Sequence, residues 1–213
     1  MKANQHDAFW LWAGVKPQTV LDRAKTIYIL GAEIKSSNRH GLEILRPSPP
    51  TAEQADIWLV IRLETLDLNE RQHAVLLDLT SKWDSAGGGL VGVQIDFDAN
   101  TRGLDGYAVF LSDFRKRLPV KYQLSITGLL DWSANGDPSQ LRDLAGTIDE
   151  AVFQTYQGRK TISGYSQWLR NLDDLPMPFR IGLVQNGEWT EPAALQQNSN
   201  FKGYVIFLLN PER

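Results

Sequence analysis

The 213-residue sequence contains no cysteine, which excludes disulfides, thiol catalysis and zinc–thiolate sites without fixing the cellular compartment. It also lacks an excess of one charge, since 22 Lys and Arg residues are mixed with 25 Asp and Glu residues along the chain. This balance argues against binding to nucleic acid. No apolar run is long enough to span a bilayer, so membrane insertion is not predicted either.

Histidine is scarce and scattered. His6, His40 and His73 fall in the amino-terminal segment, a predicted loop and a predicted helix, without the spacing of metal ligands. We therefore predict no metal site and no cofactor. The first ten residues, MKANQHDAFW, lack the hydrophobic core of a secretion signal. This indicates a cytoplasmic protein as the sequence is written, or a periplasmic or cell-envelope protein if a leader has been removed.

Eight segments of the chain are rich in β-branched and aromatic residues and have the length of strands. They are FWLWAG (9–14), TIYILGAE (26–33), IWLVIRLET (57–65), LVGVQIDFD (90–98), YQLSITGLL (122–130), EAVFQTYQG (150–158), FRIGLVQ (179–185) and GYVIFLLN (203–210). Amphipathic segments lie between many of them, at residues 69–87, 103–118, 137–149, 163–174 and 191–198. Strands that alternate with helices form parallel sheets, and eight such units predict a small α/β protein, a (β/α)8 TIM-type barrel that forms one domain over residues 1–213.

The ring of helices around this barrel is predicted to be incomplete. Residues 35–54, between the second and third strands, read as a loop with at most a short extra strand, and no helix follows the eighth strand. Apolar surface near strands one and eight is therefore expected to be open. A second copy of the chain or a partner subunit is the expected occupant of that side.

Polar side chains accumulate where the predicted strands end. The active site of such barrels lies at the carboxyl ends of the strands. Side chains two apart along a strand share a face, which groups the polar residues at one end of the barrel. The candidates are Trp12 on the first strand, Glu33 on the second, Arg62 and Glu64 on the third, Gln94, Asp96 and Asp98 on the fourth, Asp131 and Trp132 after the fifth, Gln154 and Tyr156 on the sixth, Gln185, Glu188 and Trp189 after the seventh, and Asn210 on the eighth.

The fourth strand, VGVQIDFD (91–98), resembles the D-G-x-D-x-D-x-E signature of family 18 glycoside hydrolases, the chitinase-like barrels. Gly92 and Asp96 match that pattern, and Asp98 takes the place of its catalytic Glu. Tyr156 matches the sixth-strand Tyr-Asp of those enzymes, and Gln157 replaces the acid. Phe207 lies where an eighth-strand Trp usually forms the sugar platform.

The chain as a whole more closely resembles a bacterial domain of unknown function, DUF3142. The likeness rests on FWLWAGVKP (9–17), VGVQIDFDANTRGLDGYAVFL (91–111), LSITGLLDWSANGDP (124–138), FQTYQGR (153–159), FRIGLVQNGEW (179–189) and GYVIFLLNP (203–211). This resemblance implies a glycosidase-like barrel and no particular reaction.

Within this pattern Asp98 is the candidate general acid. Like charge from Asp96 and partial desolvation at the rim of an apolar barrel favour a protonated carboxyl, which proton donation to a glycosidic oxygen requires. The alternative is that Asp98 caps the following loop or pairs with Arg102. Asp96 and Tyr156 are expected to support the acid.

The nucleophile is predicted to be either a substrate acetamido group or a second carboxylate. The candidates for that carboxylate are Glu64, Asp131 and Glu188. The alternatives are that Glu64 pairs with Arg62 or a barrel neighbour, and that Asp131 and Glu188 are solvated residues on loops. Trp132 and Trp189 each follow an acid on a loop, as sugar-stacking residues often do. Their alternative role is to pack within the protein.

The sequence supports three functions. The first is a retaining enzyme that cleaves or remodels a bacterial or chitin-type glycan with Asp98 as acid. The second is a non-catalytic glycan-binding barrel, because Val91, Gln94 and Gln157 replace acids of the chitinase-like pattern and fold likeness does not carry activity. The third is a scaffold subunit that docks a partner at its open side.

Overall fold

The computed structural model describes residues 1–36, 41–50, 55–99, 103–132, 136–169 and 175–210. Its central feature is a parallel sheet in which the first strand pairs with both the last and the second strand, so that the sheet closes. The eight strands of this barrel are β1 (Ala8–Leu11), β2 (Thr26–Ile34), β4 (Asp56–Leu63), β5 (Leu90–Asp96), β6 (Gln123–Leu129), β7 (Glu150–Gln154), β10 (Phe179–Val184) and β11 (Phe201–Phe207). Their order around the barrel follows the chain, and the predicted eight-stranded TIM-type barrel is confirmed.

Three short strands lie outside the barrel. β3 (Leu42–Ile44) pairs antiparallel with the end of β2, in the region predicted to hold at most a short extra strand. β8 (Tyr156–Gln157) and β9 (Lys160–Thr161) form a two-stranded hairpin directly after β7. Gly158 has a φ of 58° in the turn of this hairpin, a conformation that glycine adopts without steric cost.

The helical ring is thinner than the sequence predicted. Within the described ranges, three helices of two or more turns follow consecutive strands: α1 (Glu70–Ser85), α2 (Leu104–Arg117) and α3 (Pro138–Ala145). The segment predicted as a helix over 163–174 contains one helical turn, α4 (Tyr165–Trp168), and residues 170–174 lie outside the described part. The segment over 191–198 contains only a 3-10 turn at Leu195–Gln197, and a second such turn, Thr19–Arg23, follows β1.

Capping residues in the sequence specify where α1 and α3 begin. The Asn69 side chain accepts a hydrogen bond from the Gln72 amide, and the Gln72 side chain accepts one from the Asn69 amide, which forms a capping box at α1. Asp137 caps α3, whose first residue is Pro138. No such pair of signals opens the segment over 191–198, and its helix does not extend beyond one turn.

Side chains alternate between two cores, one inside the barrel and one between the sheet and the helices. On β5, Val93 and Ile95 are fully buried in the outer core. Gln94 and Asp96 point the other way, where they bond Ser125 and Thr127 of β6. Aromatic and aliphatic residues fill the barrel interior around these polar groups, among them Trp10, Tyr28, Trp58, Val60 and Val152.

The open apolar side expected near strands one and eight is not seen. The large hydrophobic residues exposed within the described ranges are Ile44, Val109 and Val120, none of which lies on β1 or β11. Phe201 and Tyr204 on the outer face of β11 instead contact each other and, through Tyr204, the ring of Trp189. A partner at this side, and the oligomeric state, stay predictions. Within the same ranges, none of the helices combines the length and apolar character of a membrane span.

Candidate functional site

A cavity of about 580 Å³ lies at the mouth of the barrel. Its walls come from the carboxyl ends of the strands and from the segments that follow them. The lining residues are Trp10, Trp12, Arg62, Asp96, Asp98, Leu129, Gln154, Tyr156, Gln157, Gly158, Arg159, Ile162, Phe207 and Leu209. The size is within the range of about 300–1,000 Å³ that small-molecule sites occupy.

A buried ion pair forms the polar centre of this cavity. Arg62 Nη1 donates a hydrogen bond of 2.9 Å to Asp96 Oδ2, and Thr127 Oγ1 donates one of 3.0 Å to Asp96 Oδ1. The Asp96 side chain is only 1% exposed. Burial raises the pKa of Asp96 above its ordinary value, and the charge of Arg62 opposes that rise. Both oxygens of the carboxylate are therefore occupied by protein donors.

Asp98 lies above this pair at the rim. Its side chain is 58% exposed, and its Oδ2 is 3.6 Å from Arg62 Nη2. Arg62 also lies 3.8 Å from Glu33 Oε1, so three carboxylates surround one guanidinium. The alternative partner considered for Asp98, Arg102, lies outside the described residues. In this arrangement Asp98 is the carboxylate of the cavity that faces solvent.

Aromatic rings form another part of the cavity wall, next to the ion pair. Phe207 contacts the rings of Tyr156 and Trp12, with centroid separations of 5.2 and 5.8 Å. The Arg62 guanidinium lies 5.4 Å from the Trp12 ring centre, a cation–π contact that joins the two sides. Burial raises the pKa of Tyr156 well above its ordinary value, and the negative charges of Asp96 and Asp98 add to the effect. Tyr156 therefore stays protonated and can donate a hydrogen bond.

Gln154 also lines the cavity, whereas Glu64 and Gln94 do not. β4 ends at Leu63, and Glu64 turns away to accept hydrogen bonds from the Ser36 amide and hydroxyl at 3.0 and 3.1 Å. The bonds from Ser36 lower the pKa of Glu64. Gln94 is fully buried below the cavity and donates to Ser125 Oγ at 2.9 Å.

The two loop tryptophans do not reach the cavity. Trp132 is fully buried in the outer core, where its Nε1 donates to the Ala99 carbonyl at 2.8 Å. Its ring faces are covered by protein, so Trp132 is a core residue in this structure. Trp189 stacks on Tyr165 outside the barrel, with a centroid separation of 5.1 Å. The neighbouring acids, Asp131 and Glu188, are likewise absent from the cavity lining.

Gln185 and Asn210 use their polar groups to join loops. Gln185 and Gln18 exchange hydrogen bonds between their side-chain amides, at 2.8 and 3.2 Å. Asn210 donates to the Gly14 carbonyl and accepts from the Lys16 amide, both at 2.9 Å. Both residues therefore bind protein groups at the rim, next to the cavity but outside its lining.

The lining residues that were not predicted as site residues are Trp10, Leu129, Gly158, Arg159, Ile162 and Leu209, and Thr127, which bonds Asp96, was not predicted either. The signal for Trp10 was present, because it precedes Trp12 by two residues on the same strand face. Thr127 has the matching position on β6 beside Asp96, which only the pairing of β5 and β6 reveals. Arg159 reaches the cavity through the β8–β9 hairpin, a local fold that the sequence pattern did not predict. Across the described ranges, no cluster of three His, Asp or Glu residues is arranged to hold a metal ion.

The sequence profile of a domain of unknown function, DUF3142, matches residues 55–182. No curated protein matches the sequence. Among solved structures, a GH18 chitinase from Pseudoalteromonas aurantia is similar with a TM-score of 0.55 and 16% identity, over 95% of this chain and 94% of that one.

Two further structures share the fold. The spore cortex-lytic enzyme SleL of Bacillus cereus has a TM-score of 0.52 and 20% identity, over 83% of this chain and 50% of the enzyme. A xylanase and α-amylase inhibitor protein from Scadoxus multiflorus has a TM-score of 0.55 and 12% identity, over 94% of this chain and 92% of that one. At these identities the likeness establishes a glycoside hydrolase-like barrel, which both enzymes and an inhibitor protein adopt.

Proposed function

The chain belongs to the DUF3142 family, and we propose that it binds a glycan in the cavity at the mouth of its chitinase-like barrel. The observation that carries this proposal is the division of the cavity into an aromatic side and an ionic side. Trp12, Tyr156 and Phe207 form the first, and Arg62 with Asp98 forms the second. A pyranose ring presents the same two characters, C–H groups on its faces and hydroxyl groups around its edge.

The ion pair makes this cavity suited to binding before any ligand arrives. Arg62 is fixed by Asp96 at 2.9 Å and by the face of Trp12. Because the guanidinium is already oriented, little conformational entropy is lost when a saccharide hydroxyl takes up one of its N–H groups. Asp98, which is exposed, supplies acceptor oxygens to the same ligand.

Calorimetric titration with chitin-type and bacterial cell-wall oligosaccharides tests the proposal. The wild type is expected to bind at least one of them, and Trp12→Ala to bind it about tenfold more weakly or worse, a loss of about 1.4 kcal/mol. Trp189→Ala is the matched control, because Trp189 is also partly buried but lies outside the cavity. Failure of every oligosaccharide to bind, or equal losses in the two variants, would contradict the proposal.

Hydrolysis is the second candidate function, favoured by the position of Asp98 in the cavity that also holds Asp96 and Tyr156. Glu64, Asp131 and Glu188 do not line that cavity, which favours a substrate acetamido group as nucleophile. Its oxygen would bond to the anomeric carbon as the glycosidic bond breaks, and Asp98 would give its proton to the leaving oxygen. Water would then attack the anomeric carbon, the bond to the acetamido oxygen would break, and a proton of that water would return to Asp98. Arg62 Nη2 lies 3.6 Å from Asp98 Oδ2, so both groups can contact the same substrate.

Release of reducing ends tests this second candidate. Turnover by the wild type that is lost in Asp98→Asn, while binding persists, would identify a hydrolase with Asp98 as its acid. Glu64→Gln is the control, since Glu64 is bound to Ser36 away from the cavity and its loss should leave turnover unchanged. Binding without turnover in the wild type would leave the glycan-binding function alone.

A further inference from the structure

Trp12 begins a short turn that directly follows β1. The Val15 amide donates to the Trp12 carbonyl at 3.2 Å, and Gly14, at the third position of this turn, has a φ of 81°. Glycine adopts this conformation without steric cost, but it also loses more conformational freedom than other residues when it is fixed. Because Gly14 is exposed, the conformation of the turn depends on the groups that bond it from outside.

The segment after β11 holds this turn through Asn210. The Asn210 side chain accepts a hydrogen bond from the Lys16 amide through Oδ1 and donates one to the Gly14 carbonyl through Nδ2, both at 2.9 Å. One planar amide group therefore bonds the backbone on both sides of Val15. The Asn210 carbonyl also accepts a bond of 3.1 Å from Arg159, which ties the same residue to the β8–β9 hairpin that lines the cavity.

The side chain of Trp12 depends on the same end of β11. Phe207 is the last residue of β11, and its ring centroid lies 5.8 Å from that of Trp12. The Arg62 guanidinium lies 5.4 Å from the Trp12 ring centre. Trp12 is itself only partly buried. The two ring contacts therefore require that the backbone of the turn stay where Asn210 bonds it.

From these contacts we infer that Asn210 is a positioning residue for Trp12 and thereby sets the affinity of the cavity for a glycan. Asn210 does not line the cavity, so it acts through the turn. When its two side-chain bonds are lost, the turn adopts other conformations, and the fraction of molecules that keep Trp12 against Arg62 falls. The apparent affinity falls with that fraction. The inference rests on the proposed function and adds a residue outside the cavity that this function requires.

Fluorine NMR of protein labelled with fluorotryptophan tests the positioning without any glycan. The Trp12 signal is assigned by its absence from Trp12→Phe, and it is expected to shift or broaden in Asn210→Ala. Asn200→Ala is the matched control and should leave the signal unchanged. Asn200 Nδ2 also donates to a backbone carbonyl, that of Leu175, at 2.9 Å, but it precedes β11 at the opposite end of the barrel. An unchanged Trp12 signal in Asn210→Ala, or equal changes in the two variants, would overturn the inference.

Calorimetric titration tests the consequence for affinity, with the chitin-type or cell-wall oligosaccharide that binds the wild type most tightly. Asn210→Ala is expected to bind it about three- to tenfold more weakly, as the loss of one or two hydrogen bonds implies. Asn200→Ala should bind it like the wild type. Trp12→Ala combined with Asn210→Ala should bind no more weakly than Trp12→Ala alone, because Asn210 acts through Trp12. Losses that add would give Asn210 a separate role and would overturn the inference.

The two measurements distinguish failure of the inference from failure of the proposed function. If none of the oligosaccharides binds the wild type while the Trp12 signal responds to Asn210→Ala, the proposed function is wrong and the positioning of Trp12 stands. If the wild type binds an oligosaccharide while the Trp12 signal does not respond, the inference is wrong and the proposed function stands.

Discussion

Arg62 on β4 and Asp96 on β5 are opposite each other in adjacent strands, and a 2.9 Å hydrogen bond joins Nη1 of the first to Oδ2 of the second. This bond accounts for a carboxylate that is 1% exposed inside the barrel. A buried charge is expensive unless it is paired and hydrogen-bonded, and Asp96 has both a cation and a hydroxyl donor. In turn, Asp96 orients the Arg62 guanidinium, which lines the cavity.

Removal of the cation should destabilise the barrel. In Arg62→Leu, the Asp96 carboxyl is left buried with the Thr127 hydroxyl as a side-chain donor, and loss of one partner of a buried pair costs about 3–5 kcal/mol. Urea unfolding at neutral pH measures the change. Lys82→Leu is the control, because Lys82 pairs with Asp78 on the exposed face of α1 and surface pairs contribute at most about 1 kcal/mol. Equal losses in the two variants would show that the buried pair has no special role.

The stability of the fold should depend on the ionisation of Asp96. Because its pKa is raised in the folded state, Asp96 contributes stability that is fully present below its ordinary pKa of 3.8 and is lost as pH rises through the folded value. The free energy of unfolding of the wild type minus that of Asp96→Asn should therefore fall as pH rises from about 4. Acids with lowered pKa, such as Asp84, act with the opposite sign but cancel in this difference. If the difference in the free energy of unfolding stays constant or rises with pH, the pKa of Asp96 is not raised in the folded protein.

Gly92 should be intolerant of any side chain. A Cβ at this position would lie 2.2 Å from the Gln123 carbonyl oxygen and 2.8 Å from the Trp58 ring, so a backbone strand has to move. We expect Gly92→Ala to lower the free energy of unfolding by about 1–3 kcal/mol, as overpacked cores do. Gly106→Ala is the matched control in α2, where a Cβ meets nothing within 4 Å. It should stabilise the protein by about 0.5–1 kcal/mol, because alanine favours a helix.

Trp132 is expected to contribute to stability and not to glycan binding. Trp132→Ala should lower the free energy of unfolding by about 3–5 kcal/mol, because it empties a core position in contact with Tyr107 and Phe153. The affinity of the folded variant for a glycan should be unchanged, since the ring does not line the cavity. Thermal unfolding and calorimetric titration give the two quantities. Loss of affinity at full stability would return Trp132 to the site.

The feature of the site that the sequence predicts best is the face of the strand on which each side chain lies, because side chains alternate along a strand. Alternation along VGVQIDFD placed Gln94 and Asp96 on one face, and that face is the interior of the barrel. The same rule failed at Glu64, because β4 ends at Leu63, two residues before the predicted end, and the chain then turns toward Ser36. Parity holds only while the backbone stays extended, and single-sequence patterns do not fix the last residue of a strand.

The remaining differences between the predicted and the observed site lie in the loops. Trp132 follows a strand at the active-site end, yet its ring turns into the outer core because Tyr107 and Phe153 offer an apolar site there. Arg159 enters the cavity because a two-stranded hairpin folds back after β7. Both outcomes depend on contacts between segments that are far apart in sequence, which periodicity does not contain.

The most direct measurement is a crystal structure of the protein with a bound oligosaccharide, chosen from those that bind in solution. We predict a sugar ring packed against Trp12 and Phe207, with polar contacts to Arg62 or Asp98. An oligosaccharide bound at the outer cluster of Tyr165, Trp189 and Tyr204, with the cavity unoccupied, would contradict it.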